Sequence, residues 1–149
     1  MIETAALMLC AVLAGVAATV QAGLNSTLRT YLGSPESAAL VSFFIGTAAL
    51  AGVVLAGRLP FALGTAIGRA PAWCWLGGFL GAFLVTVTVY AAPKLGAATM
   101  MALLVSGQMI ASLILDHYGL IGFPLREASG LRIVGVFMLV GGVFLINRF

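Results

Sequence analysis

Long uncharged runs divided by short charged or Gly/Pro-bearing breaks set the pattern of hydrophobic and polar positions along the chain. Residues 4–28, 37–57, 70–93 and 95–115 carry no Asp, Glu, Lys or Arg. A helix that crosses a bilayer needs about 20 apolar residues, so each of these runs is long enough to span. A fifth run, 133–147, is shorter. It qualifies when Arg132 and Arg148 extend their side chains to the two interfaces, as basic residues at helix ends do. The pattern predicts five spanning helices, at about 3–30, 36–56, 71–92, 96–117 and 129–147, in a single membrane domain covering 1–149.

The breaks carry helix-boundary chemistry. Gly33, Ser34, Pro35 and Glu36 predict a helix end near Leu32, then an N-cap serine with proline in the first helical position and an acid in the first turn. Pro71 is placed to open the third helix and Pro93 to end it, Gly96 separates it from the fourth, and Gly119 stands where a C-terminal cap belongs. Residues 61–67, between Arg58 and Arg69, are too few to span and predict a loop or an interfacial turn. The first run is expected to stay as a helix and not to be cleaved as a signal peptide. It is preceded by Glu3 and by no Lys or Arg, it exceeds a usual apolar leader core, and Leu9 is too large to precede Cys10 in a lipoprotein signal.

Composition removes the alternatives to a lipid-embedded fold. Hydrophobic residues make up 62% of the 149 and charged residues 7%, against roughly 25% charged in a soluble chain. Eleven charges cannot cover a water-facing surface. No Lys/Arg patch exists to neutralise phosphates, which excludes a nucleic-acid partner. Cys10 and Cys74 match neither a disulfide framework nor a metal spacing and read as packing residues. A single His, no carboxylate pair, no phosphate-binding glycine loop and no ATPase motif leave neither an enzyme signature nor an implied cofactor.

Candidate functional residues are the polar groups inside the spans, because lipid makes a polar side chain without a partner costly. Gln21, Asn25 and Arg29 recur every four residues in the first helix, and Gln108, Ser112 and Asp116 do so in the fourth. That spacing lines up one helix face. The two stripes predict a shared polar interior, with Thr86 and Tyr90 of the third helix and Trp75 as further lining. The competing reading makes Gln108 and Ser112 hydrogen-bonding glue between helices, and Asp116 with His117 an interfacial helix end. Gly77 and Gly81, with Gly135 and Gly142 in the last helix, predict close helix crossings.

Five spans put the termini on opposite sides of the membrane. One set of loops then carries Arg58, Arg69, Arg126 and Arg132, and the other Arg29, Lys94 and Arg148. Four bases against three leans to an N-inside, C-outside orientation under the positive-inside rule, and a bias of one also leaves open that the chain inserts both ways. Transporters built from inverted halves hold solute near the midplane between them. No internal repeat is visible here, so the inverted half would be a second polypeptide. In such a pair Asp116 of one copy comes level with Arg29 or Asn25 of the other, and an Arg29–Asp116 intersubunit pairing is expected.

Gln21-Ala22-Gly23-Leu24-Asn25, Trp75-Leu76-Gly77-Gly78, Pro93 to Ala98, Gly107-Gln108 and Asp116-His117-Tyr118-Gly119 resemble the short YdcZ-type inner-membrane proteins of the drug/metabolite transporter superfamily. The resemblance covers nearly the whole chain. It implies an all-α, five-helix half-transporter of the bacterial inner membrane, completed to a ten-helix architecture as an antiparallel homodimer or with an inverted paralogous partner, and acting as an exporter. The related small multidrug resistance exporters carry an acid in the first helix, where this chain has Gln21 and Asn25.

The function expected from these readings is transport of small polar or amphipathic metabolites by alternating access around Gln21, Asn25 and Gln108, with Ser112, Asp116, Tyr90, Thr86 and Trp75. Neutral amides suit uncharged or zwitterionic solutes. The rivals are a passive pore and a membrane subunit that serves a partner protein without transporting.

Overall fold

The computed structural model describes residues 2–148, with Met1 and Phe149 outside the described part. The chain is helical, with no strand among the described residues. In hydrocarbon every backbone N–H and C=O must find its partner within the segment, and a helix meets that demand. Five helices are long and apolar enough to cross: α1 Ile2–Leu32, α2 Pro35–Ala56, a span made of a 3-10 turn Ala72–Trp75 followed by α4 Leu76–Leu95, then α5 Ala97–Tyr118 and α6 Gly130–Arg148.

The breaks between them show why each helix stops. Ser34 takes an extended conformation (φ −147°, ψ 153°) and its Oγ accepts from Ser37 N at 3.1 Å, with Pro35 at the start of α2. That bond satisfies one of the N–H groups a helix start leaves open. Gly119 ends α5 in the left-handed region (φ 60°, ψ 39°), where its N–H reaches the Asp116 carbonyl at 3.3 Å.

Two sequence expectations need correction. Residues 61–67 do not form only a loop: α3, Leu63–Arg69, is a short helix between α2 and the 3-10 turn. Pro93 does not end its helix either, because α4 continues through it to Leu95. A proline within the last turn interrupts few backbone bonds, so two further residues can follow in helical conformation.

The chain divides into two compact units, Met1–Lys94 and Leu95–Phe149. In the first, α1 packs along α2, and in the second α5 packs along α6. Small residues carry the contacts in the first unit: Ala22 of α1 and Ala38 and Ala39 of α2 are buried, which lets the backbones approach. Val89 of α4 is also fully buried. Large side chains point outward in both units, among them Leu7, Leu40, Phe83, Leu131 and Phe137. That outward apolar surface suits lipid or a second protein chain as its neighbour.

Candidate functional site

In the first unit the stripe on α1 is graded in burial. Gln21 is exposed and lines a cavity of about 220 Å³ with Ser42, Phe43, Gly46 and Thr47 of α2. One turn on, Asn25 is only 6% exposed, and its Nδ2 is buried without a hydrogen-bond partner. A buried donor without an acceptor is uncommon in folded proteins and costs about 1–3 kcal/mol. Arg29, one further turn along, is half-buried.

On α4 of the same unit Thr86 is half-buried, while Tyr90 is exposed and stacked under the Lys94 ammonium, whose Nζ lies 3.8 Å from the ring centroid. A cation on an aromatic face is held by the ring quadrupole. Trp75 stands at the opposite end of this span, fifteen residues from Tyr90, or roughly 22 Å along a helix. The two rings of one chain therefore cannot touch the same small solute.

In the second unit Gln108 is exposed, and the Ser112 hydroxyl donates to the Met109 carbonyl at 3.0 Å. Ser112 also lines a cavity of about 270 Å³ that includes Met109, Arg132 and Gly135. Asp116 has a partner that sequence spacing did not reveal. Arg132 Nη2 donates to Asp116 Oδ2 at 2.5 Å, and Arg132 Nη1 donates to the Arg126 and Glu127 carbonyls. The backbone of the connection is bound to the same place, since Arg126 N donates to the Asp116 carbonyl at 2.8 Å and Ala128 N to His117 Nδ1 at 3.1 Å. Asp116 and His117 thus hold the connection between α5 and α6 against the end of α5. A pairing of Asp116 with Arg29 of another copy has to compete with Arg132.

Of the four glycines expected at helix crossings, Gly81 alone faces a neighbour in its own chain, where an added Cβ would meet the Phe43 ring at 3.4 Å. Nothing lies within 4 Å of a Cβ at Gly77, Gly135 or Gly142. Ser106 of α5 was not singled out from sequence, yet its Oγ is buried without a partner. A serine inside a span ordinarily bonds its own backbone, and nothing in the residue pattern distinguishes this one. Among the described residues no group of three or more His, Cys, Asp or Glu is placed to hold a metal ion.

Five apolar spans that carry hydrogen-bonding side chains within them define a multi-pass membrane protein. The chain belongs to the family described as "Putative inner membrane exporter, YdcZ", whose model matches residues 6–145. It is 32% identical over 139 residues to the inner membrane protein YdcZ of Escherichia coli (strain K12), a match that covers 89% of this chain and 91% of that protein. No solved structure matches. The protein is accordingly a multi-pass protein of the inner membrane, in a family whose description is that of an exporter.

Proposed function

We propose that the chain is one half of a transporter for small polar or amphipathic solutes, completed by a second copy inserted the other way up. The observation that carries this reading is Asn25, a buried amide inside a span with no acceptor for its N–H, in a chain of an exporter family. A solute in a cavity beside α1 supplies that acceptor, and Gln21 extends the hydrogen-bonding surface one turn deeper. Alternating access then amounts to rocking of two inverted halves about the solute.

The inverted pairing answers two further features. It gives the open glycine faces at Gly77, Gly135 and Gly142 a second chain to pack against. It also brings Trp75 of one copy to the membrane level of Tyr90 in the other, and Gln108, Ser112 and Asp116 of one copy toward the level of Asn25 and Arg29 in the other. The nearly balanced loop charges permit both insertions.

Orientation is the test. In a variant with Cys10 and Cys74 replaced and Asn147→Cys introduced, labelling of intact cells by a membrane-impermeant maleimide is compared with labelling after permeabilisation. About half of the chains labelled from outside is the expected result. Labelling of all or none from outside removes the inverted homodimer and leaves transport dependent on a different, inverted partner chain.

A further inference from the structure

The cavity that Gln21, Ser42, Phe43 and Thr47 line between α1 and α2 does not stand alone. Thr47 and Leu50 belong to its wall and also to that of a larger cavity, of about 350 Å³, with Ala51, Val54, Leu55 and Phe61. Phe43, Thr47, Leu50 and Val54 recur at intervals of four, three and four residues, which sets them along one face of a helix. The two cavities therefore follow one another along α2. From Thr47 to Leu55 the larger one covers roughly 12 Å of the helix.

Their chemistry differs. The smaller cavity sits at the middle of the α2 span and presents an amide and two hydroxyls. Elsewhere in the spans Thr19, Thr27, Thr88 and Ser112 donate to a carbonyl three or four residues back. Among the described residues the side chains of Gln21, Ser42 and Thr47 bond to no other group. Asn25, with its unsatisfied N–H, lies one turn beyond Gln21 on the same face of α1. The Phe43 ring is backed by α4, where a Cβ added at Gly81 would meet it at 3.4 Å.

Beyond Thr47 the wall of the larger cavity is apolar, and Phe61 is its one residue outside α2. A turn brings Phe61 back. Arg58 takes a left-handed conformation (φ 47°), Arg58 N donates to the Leu55 carbonyl at 3.2 Å, and Leu59 N donates to the Val54 carbonyl at 2.9 Å. Such paired bonds reverse the chain at a helix end. No charged residue lines either cavity. Along α1 the nearest, Arg29, is eight residues from Gln21, or roughly 12 Å. An ion placed there would lose its hydration without gaining a counter-charge.

We propose that the two cavities form one groove for an uncharged amphipathic solute, with a hydroxyl or amide head at Gln21, Ser42 and Thr47 and a hydrocarbon tail laid along α2 toward Phe61. A mostly apolar groove with a few hydrogen-bonding groups at one end fixes which way round such a solute lies. As a statement about substrate this rests on the transport reading above. As a statement about binding it needs only α1, α2 and the turn after α2, all within the first unit.

The test is equilibrium binding of tritiated octanamide to the full chain in lipid nanodiscs at neutral pH, read by scintillation proximity as the part displaced by excess unlabelled octanamide. The competitors are 1-octanol, octanoate, octylammonium, butanamide and octane. Saturable binding is expected, with 1-octanol a competitor and with octanoate, octylammonium, butanamide and octane each at least tenfold weaker than octanamide. Gln21→Leu should weaken octanamide at least threefold, and Ala51→Leu, which fills the apolar part, should weaken octanamide more than butanamide. Leu131→Ala, on α6, should bind as the parent does. Should Gln21→Leu not fold, Ser42→Ala is read in its place. The proposal is overturned by no saturable binding, by undiminished binding in Gln21→Leu, or by equal displacement by either charged octyl compound. Equal displacement by octane overturns it too and makes the groove a seat for lipid chains. Counterflow of other solutes by a chain that binds no octanamide keeps the transport reading and loses this groove. Binding of octanamide by a chain that inserts in one orientation keeps the groove and loses the homodimer.

Discussion

Arg132, at the start of α6, reaches back across sixteen residues of sequence to pair with Asp116 in the last turn of α5. The pair is partly open to its surroundings, with side chains 38% and 20% exposed, and Arg132 also binds the Arg126 and Glu127 carbonyls. It therefore does two things at once: it neutralises an acid at the edge of a span and it closes the loop that joins the two helices of the second unit.

A charge exchange separates this pair from the intersubunit one. An ion pair this exposed contributes about 1 kcal/mol or less, so Arg132→Asp or Asp116→Arg alone should lower the unfolding temperature by a few degrees. The double variant Asp116→Arg with Arg132→Asp should regain most of that loss. If Asp116 instead works chiefly with Arg29 of an inverted copy, the exchange Arg29→Asp with Asp116→Arg is the one that recovers. Differential scanning fluorimetry of both single and double sets decides between them.

The His117 ring acts on the same loop from the other side. Its Nδ1 accepts from Ala128 N at 3.1 Å, and its ring meets Tyr118 edge to face at 4.7 Å. Replacing it by phenylalanine keeps the ring and removes the acceptor, which leaves a backbone N–H unpaired and frees the loop around the exposed Arg126. Tryptic cleavage after Arg126 should be several-fold faster in His117→Phe than in the parent chain. An unchanged time course would show that the bond does not hold the loop.

What the sequence shows and what it hides follow from range. The spans are legible because lipid imposes a long uncharged run, and Arg29, Glu36, Arg58, Lys94 and Arg148 all stand near span ends. The Ser34–Pro35 start and the Gly119 stop are legible because capping is a matter of neighbouring residues. The Arg132–Asp116 pair is not, since the residues between them have no helical period that fixes where the chain returns. Lys94 escaped the Thr86–Tyr90 stripe for a different reason. Pro93 reads as the end of a helix, and only the continuation of α4 to Leu95 keeps Lys94 on the same face. Among candidate site residues the stripe places Gln21, Asn25 and Arg29 on one face, but the burial of Asn25 and the exposure of Gln21 and Gln108 depend on what packs against each of them and not on their spacing.

Gly119 and Gly142 should respond oppositely to the same change. At Gly119 φ is 60°, while an added Cβ would meet Leu125 no closer than 3.5 Å, so conformation and not crowding sets the cost. A left-handed alanine costs about 1–2 kcal/mol, and asparagine tolerates that region better. Gly119→Ala should lower the unfolding temperature and Gly119→Asn should lower it less. Gly142 lies inside α6 with open space around it in its own chain, so in the detergent-isolated single chain Gly142→Ala should be neutral or stabilising by up to about 1 kcal/mol through helix propensity. A destabilised Gly142→Ala in the reconstituted protein would instead place a second chain against that face.

Asn25→Leu sets stability against function. Removing one partner of a made hydrogen bond leaves the other unsatisfied, but the Asn25 amide N–H has no partner in its own chain. Leucine is close in volume, suits a buried site in a span, and relieves the group that lacks an acceptor. The variant should therefore unfold at the same temperature as the parent or above it. Stability gained by erasing an unsatisfied polar group is the pattern of a residue kept for binding, because sites that break the packing rules do so where a ligand completes them. The same variant should then lose counterflow of a labelled solute in proteoliposomes where the parent shows it. A variant that is less stable than the parent would mean that Asn25 holds the fold through a partner in the assembled transporter, and its role would move from the solute to the contact between copies.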